Sequence, residues 1–171
     1  MSSHQKFGLA FKTAIDPVTL GIAAVGAGMS QALDLSAGYG QGAEGYGKRV
    51  GASYAGQADS LLWGNAILPS LLHQDPRYFR KKTGTFKSRL LYALSATVKS
   101  KNDDGSRGPN YSNVIGRMIA AGISNVYYPP GDRGVGPTFG RAATLISLGT
   151  LGSVLNEFWP DIRRKLFNKQ N

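Results

Sequence analysis

The chain has 171 residues, no cysteine, 23 glycines and a formal net charge of +10. Its length suits one domain, and the missing cysteines exclude disulfides and cysteine-based zinc or redox chemistry. The charge says little about fold, but it implies attraction to something anionic: a lipid surface, an acidic polymer or nucleic acid.

The glycines fall at helical spacings among Ala, Leu, Ile and Val, which points to close helix packing rather than a loose linker. Residues 1–15 read as an N-terminal arm or short helix and 16–171 as a single helical domain. Met1-Ser2-Ser3-His4-Gln5 is polar and does not look like a secretory leader. Lys6 to Ala14 is weakly amphipathic. Asp16-Pro17 then forms a strong helix start, with Asp as N-cap and Pro at the first helical position. The uncharged run Pro17 to Leu33 follows, and Gly21 and Gly28 leave flat places on it. A second uncharged run spans Ala142 to Asn156. Both are shorter than the roughly 20 apolar residues of a membrane span, so they read as buried core helices, with an interfacial or embedded role as the weaker alternative.

Gly40-Gln41-Gly42-Ala43-Glu44-Gly45 matches G-x-G-x-x-G. No strand precedes it, so the match reads as a flexible turn rather than a dinucleotide site. From Ala43 to Leu72 the pattern is helical. Ala43, Gly47, Gly51 and Ala55 recur every four residues as a ridge that a neighbouring helix could approach. Pro69 is expected to kink or end this helix.

Leu71 to Arg80 concentrates chemistry: His73, Asp75, Arg77 and Tyr78 lie within six positions, followed by Arg80-Lys81-Lys82, Lys87 and Arg89. Phe86 to Ser100 reads as a helix with Leu90, Leu91, Leu94 and Val98 on one face. Lys101 to Asn110 is turn-rich, and its Asp-Asp-Gly lacks the later ligands of a calcium loop. Ser112 is expected to cap a helix from Asn113 to about Tyr127, with Val114, Ile115, Met118, Ile119, Gly122 and Val126 as its apolar stripe. Gly116, Ala120 and Ser124 form a second, small-residue row. The last long helix is expected from about Thr138 to Phe158, with Leu145, Leu148, Leu151 and Leu155 inward. Pro160 should break it, and Asp161 should start a terminal basic helix. No period-2 alternation is sustained anywhere. The expected fold is all-α, a compact bundle of about five to seven helices with Gly/Ala-rich contacts.

Several segments together resemble a family of uncharacterised exported proteins of environmental bacteria. They are His73-Gln74-Asp75-Pro76-Arg77-Tyr78-Phe79, Asn102-Asp103 with Gly105, Asn110 and Ser112, Ile123-Ser124-Asn125 with Tyr127-Tyr128-Pro129, and Glu157-Phe158-Trp159-Pro160-Asp161. The resemblance covers nearly the whole chain from Phe7. It implies export to the periplasm or envelope, although the leader that members carry is absent here, and it brings no activity with it.

Two functional expectations follow. In one, the chain is a non-enzymatic envelope protein that meets an anionic membrane surface or acidic envelope polymer, or assembles with itself through its glycine ridges. In the other, it is a small exported hydrolase of anionic or glycan substrates. Its candidate catalytic residues are then His73, Asp75, Glu157 and Asp161. Arg77, Tyr78, Arg80, Lys81, Lys82 and Arg89 are the candidate binding residues in either case. A structural clasp is the competing role for these side chains, because polar groups in a helical core must find partners. No cofactor or metal is called for, and nucleic acid is disfavoured because no recognition motif is present. A further basic patch, Arg163 to Lys169 with Phe167, lies at the end of the chain.

Overall fold

The computed structural model describes residues 1–167, with side chains as far as residue 165; Lys169 and the side chain of Phe167 lie outside the described residues. The fold is mostly α-helical: α1 (Ser3–Ala14), α2 (Pro17–Ala32), α3 (Gly42–Leu61), α4 (Leu68–Leu71), α5 (Phe86–Ser95), α6 (Tyr111–Ile123) and α7 (Val135–Phe167). A π-helical segment, Leu62–Ile67, joins α3 to α4. This is a compact bundle of the kind the small-residue helices predict.

Capping explains the helix starts. The Ser2 hydroxyl and the Gln5 side chain form a reciprocal capping box at α1. Asp16 Oδ1 accepts from the Val18 amide at 2.8 Å, and Pro17 opens α2. Thr85 caps α5 and Asn110 caps α6, so Asn110, not Ser112, takes the role expected of Ser112. α2 packs on α3, α6 on both α7 and the π segment, and α5 on α7. At the crossing of α6 and the π segment the backbones touch: a Cβ on Gly116 would stand 2.5 Å from Gly64 Cα.

Other expected boundaries differ, and α7 starts at Val135 rather than Thr138. First, α5 stops at Ser95, and a three-stranded antiparallel sheet follows, with β1 (Gln74–Asp75), β2 (Lys99–Asn102) and β3 (Arg107–Pro109) in that order. Gln74 pairs with Asn102, and Lys101 pairs with both Asp75 and Arg107. These strands are too short to carry a period-2 signal. Second, Pro69 does not end the helix where it stands. The backbone stays helical from the π segment, Leu62–Ile67, into α4, and α4 ends at Leu71, two residues after the proline. Third, α7 runs unbroken through Pro160. The carbonyl of Glu157, one turn before the helix would fail, receives guanidinium bonds from Arg80 and Arg89 at 2.8 Å each.

The core is made of small residues. Among the described residues the fully buried hydrophobic side chains are nine alanines, while 28 large apolar side chains are exposed. Buried with the alanines are Lys6, Arg49, Gln57, Gln74, Asp75 and Glu157. Along α6 and the 3-10 turn Ser124–Val126 that follows it, the buried row is Ser112, Gly116, Ala120 and Ser124, whereas Ile115, Met118 and Val126 face outward. This reverses the expected stripe. On α7, Leu151 and Leu155, expected inward, are exposed, as are Leu91, Leu94 and Val98. The ridge Ala43, Gly47 and Gly51 also lies on the outside, and a Cβ on Gly47 or Gly51 would meet nothing. Small residues win the interior because they let backbones approach closely, which leaves no room there for leucines.

Candidate functional site

Glu157 is the polar centre of the molecule. It lies on α7 with no exposed surface. Oε1 accepts from Arg89 Nε at 2.8 Å and from the Lys82 amide at 3.1 Å. Oε2 accepts from the Tyr78 hydroxyl at 3.0 Å and from the Lys81 amide at 2.9 Å. Burial pushes the Glu157 carboxyl upward, but Arg89, the two amides and Tyr78 outweigh it and hold the group below its ordinary value. Burial, and then the same hydrogen bond, push the Tyr78 hydroxyl well up. One turn on, Asp161 Oδ2 pairs with Arg89 Nη1 at 2.6 Å. Two guanidiniums, those of Arg80 and Arg89, thus lie with two carboxylates, and the turn from Tyr78 to Lys82 is fastened to α7.

The other candidates stand apart from this cluster. Asp75, buried in β1, takes Arg77 as a bidentate partner: Nε reaches Oδ1 at 3.0 Å and Nη2 reaches Oδ2 at 2.6 Å. The Arg77 amide also bonds Oδ1, closing a local turn. Burial raises the Asp75 carboxyl, but Arg77 more than compensates and keeps it low. His73 is exposed and left-handed, with φ 52°. Its carbonyl accepts from the Asp103 amide at 2.7 Å. With Leu72, Asn102, Asp103 and Asp104 it lines a shallow open recess of about 430 Å³. Among the described residues no three His, Asp or Glu side chains gather as metal ligands would; Asp75 bonds Arg77, whereas Glu157 and Asp161 share Arg89.

Several residues that carry the fold were not singled out from the sequence. Lys6 is 1% exposed, and its ammonium reaches Asp103 Oδ2 at 2.5 Å and the Pro69 carbonyl at 2.9 Å. It ties α1 to the end of α4 and to the β2–β3 turn. Gln74 accepts from the Ser112 hydroxyl at 2.7 Å and donates to the Pro109 carbonyl at 2.6 Å. Arg49 fills the glycine-rich turn by donating to the carbonyls of Leu35, Ser36 and Gly40. A guanidinium surrounded by carbonyls is the reverse of a phosphate cradle, whose amides would point inward. Arg117 lies half-buried against Gly149, with the Asn113 carbonyl as its acceptor. Burial alone draws its pKa down to about 10. A lone cation inside an apolar run was the signal available for Arg117; Lys6 follows the polar residues Ser2 to Gln5 and carried no such signal.

The surface is the second candidate. α2 carries no charged residue, and Val18, Leu20, Val25 and Met29 are exposed along it. α7 shows Val135, Phe139, Ala143, Ser147, Leu151, Leu155 and Trp159 outward at every fourth position. Between α1 and α3 lies an apolar groove of about 600 Å³, walled by Phe7, Phe11, Ile15, Tyr54, Ala58 and Leu62. The accessible surface is 10180 Å², roughly 2,000 Å² above the value of about 8,100 Å² expected for a folded monomer of this mass. No single helix among the described residues is long and apolar enough to cross a membrane, but α1 and α2 together, bent by 52°, have the length and composition.

Comparison of the chain with protein-family models, with curated proteins and with solved structures finds no match.

Proposed function

We propose that the chain is a non-enzymatic protein of the cell envelope that associates with an anionic membrane surface. One observation carries this reading: the fully buried interior is alanine, glycine and hydrogen-bonded polar groups, while 28 large apolar side chains are exposed and others are only half-buried. Apolar surface exposed on this scale marks interaction or membrane sites when it is contiguous. A lipid boundary covers such faces, and the net charge of +10 favours an anionic one. A second copy of the chain would cover the same faces in another way.

The hydrolytic alternative at His73 and Asp75 has weaker support. Asp75 already neutralises Arg77, and both oxygens of Glu157 are fully occupied. Neither is placed to take a proton from a substrate or water.

The test is flotation with anionic and neutral vesicles at low and high salt. Binding to anionic vesicles that weakens but persists at high salt is expected, since salt screens the charges and leaves apolar insertion intact. Absence of binding at either salt overturns the reading.

A further inference from the structure

We propose that the turn after Tyr78, the start of α5 and the end of α7 form a lip that grips the headgroups of anionic phospholipid. The inference rests on the membrane reading above. It comes from sorting the cations by what they touch. Arg80 and Arg89 point inward and are consumed by Glu157, Asp161 and the Glu157 carbonyl. That cluster holds two positive and two negative groups, so it neutralises itself.

The cations around it are left over. Lys82 and Lys87 are exposed, and neither has an acidic partner among the described residues. Among the described residues the Lys81 ammonium reaches only the Ser88 hydroxyl, at 2.5 Å. Arg164 and Lys165 lie three or four residues beyond Asp161, hence on the helix face that carries Glu157 and Asp161. They too are exposed.

The turn is held in an unusual shape. Lys82 is left-handed, with φ 64°, and Gly84 follows at φ 105°. The amides of Lys81 and Lys82 both bind the Glu157 carboxylate, which fixes the backbone of the turn; the Lys81 side chain lies along the start of α5 against Ser88, and that of Lys82 is exposed. Phe86, 68% exposed, stands between Lys82 and Lys87 in sequence, and its ring rests on Phe158 with centroids 4.9 Å apart. An aromatic ring beside unpaired lysines on a fixed turn suits the headgroup level of a bilayer, where the ring enters the acyl boundary and the ammonium groups meet phosphate.

The experiment measures partitioning onto neutral phosphatidylcholine vesicles and onto vesicles also containing phosphatidylglycerol. It compares wild type, Lys81→Ala/Lys82→Ala/Lys87→Ala, and a control, Lys12→Ala/Lys99→Ala/Arg107→Ala, which removes the same charge from other elements. The lip variant is expected to bind anionic vesicles roughly a hundredfold more weakly, the product of three near-surface lysines, and the control only severalfold more weakly. Equal losses in the two variants overturn the lip and leave the membrane reading standing. No binding by wild type overturns both. All six positions are on the surface, and unchanged thermal melts will show that folding is not the cause.

Discussion

Glu157 shows how a buried charge is tolerated. Its two oxygens accept four hydrogen bonds, and its pKa lies below the ordinary value of 4.5. In Glu157→Gln, Arg89 keeps Asp161 as its partner, but the Lys81 and Lys82 amides and the Tyr78 hydroxyl lose an ionised acceptor. The substitution is therefore expected to cost about 1–3 kcal/mol in denaturant unfolding. The pH dependence has a definite sign. Because the folded carboxyl holds its proton less tightly than the unfolded one, its stabilisation is fully present above pH 4.5 and is lost as pH falls through the lower folded value. Melts of wild type and Glu157→Gln should converge on acidification through that window. Parallel curves would assign the acid sensitivity to another carboxylate, such as Asp75 or Asp103. Two glycines offer an opposed pair of tests. Gly116→Ala drives a methyl into the Gly64 backbone and should cost about 1–3 kcal/mol. Gly47→Ala meets open space in mid-helix and should stabilise by about 0.4–1 kcal/mol. If the two shift stability alike, the buried and open rows have been assigned the wrong way round.

At the scale of elements, the start of α2 was legible to the residue, the starts of α6 and α7 only to within two or three residues, and several ends were not. Asp16-Pro17 states its role locally, in two adjacent residues. The end of α5 does not, because Lys99–Asn102 becomes a strand only when Gln74–Asp75 and Arg107–Pro109 arrive to pair with it. Pro160 misleads for a similar reason: the guanidiniums that stabilise α7 before it come from residues 68 and 77 positions away. The motif residues around His73 were visible as a concentration of polar groups, but not their sorting into two separate pairs of partners, which depends on which side of the turn each faces. α2 supplies the prediction at this scale. Val18→Ser, Val25→Ser and Met29→Ser, combined, change only exposed side chains, so each should move folding stability by no more than about 0.5 kcal/mol. Partitioning onto vesicles at high salt should nevertheless fall. A large loss of stability instead would mean that this face is already covered in solution by a second copy.

For the whole molecule, periodicity located the helices but misjudged which side of them faces in. The usual rule sends large apolar residues to the core. Here Ser112, Gly116, Ala120 and Ser124 are buried and Ile115 and Met118 are not, because backbone contact such as Gly116 on Gly64 excludes bulk. The outward apolar surface can then be covered by lipid or by another copy, and salt separates the two. At +10, copies of the chain repel one another, and added salt screens that repulsion. Self-association through apolar faces should therefore strengthen as salt rises. Attraction to an anionic membrane should weaken over the same range, down to the residue supplied by insertion. Sedimentation in lipid-free buffer and flotation with anionic vesicles, run across one salt series, are expected to show opposite slopes. Self-association that weakens with salt would mean that charge pairs, not the apolar faces, hold the copies together. A strict monomer at every salt that also ignores vesicles would leave the exposed side chains as isolated surface residues and remove the physical basis for a membrane role.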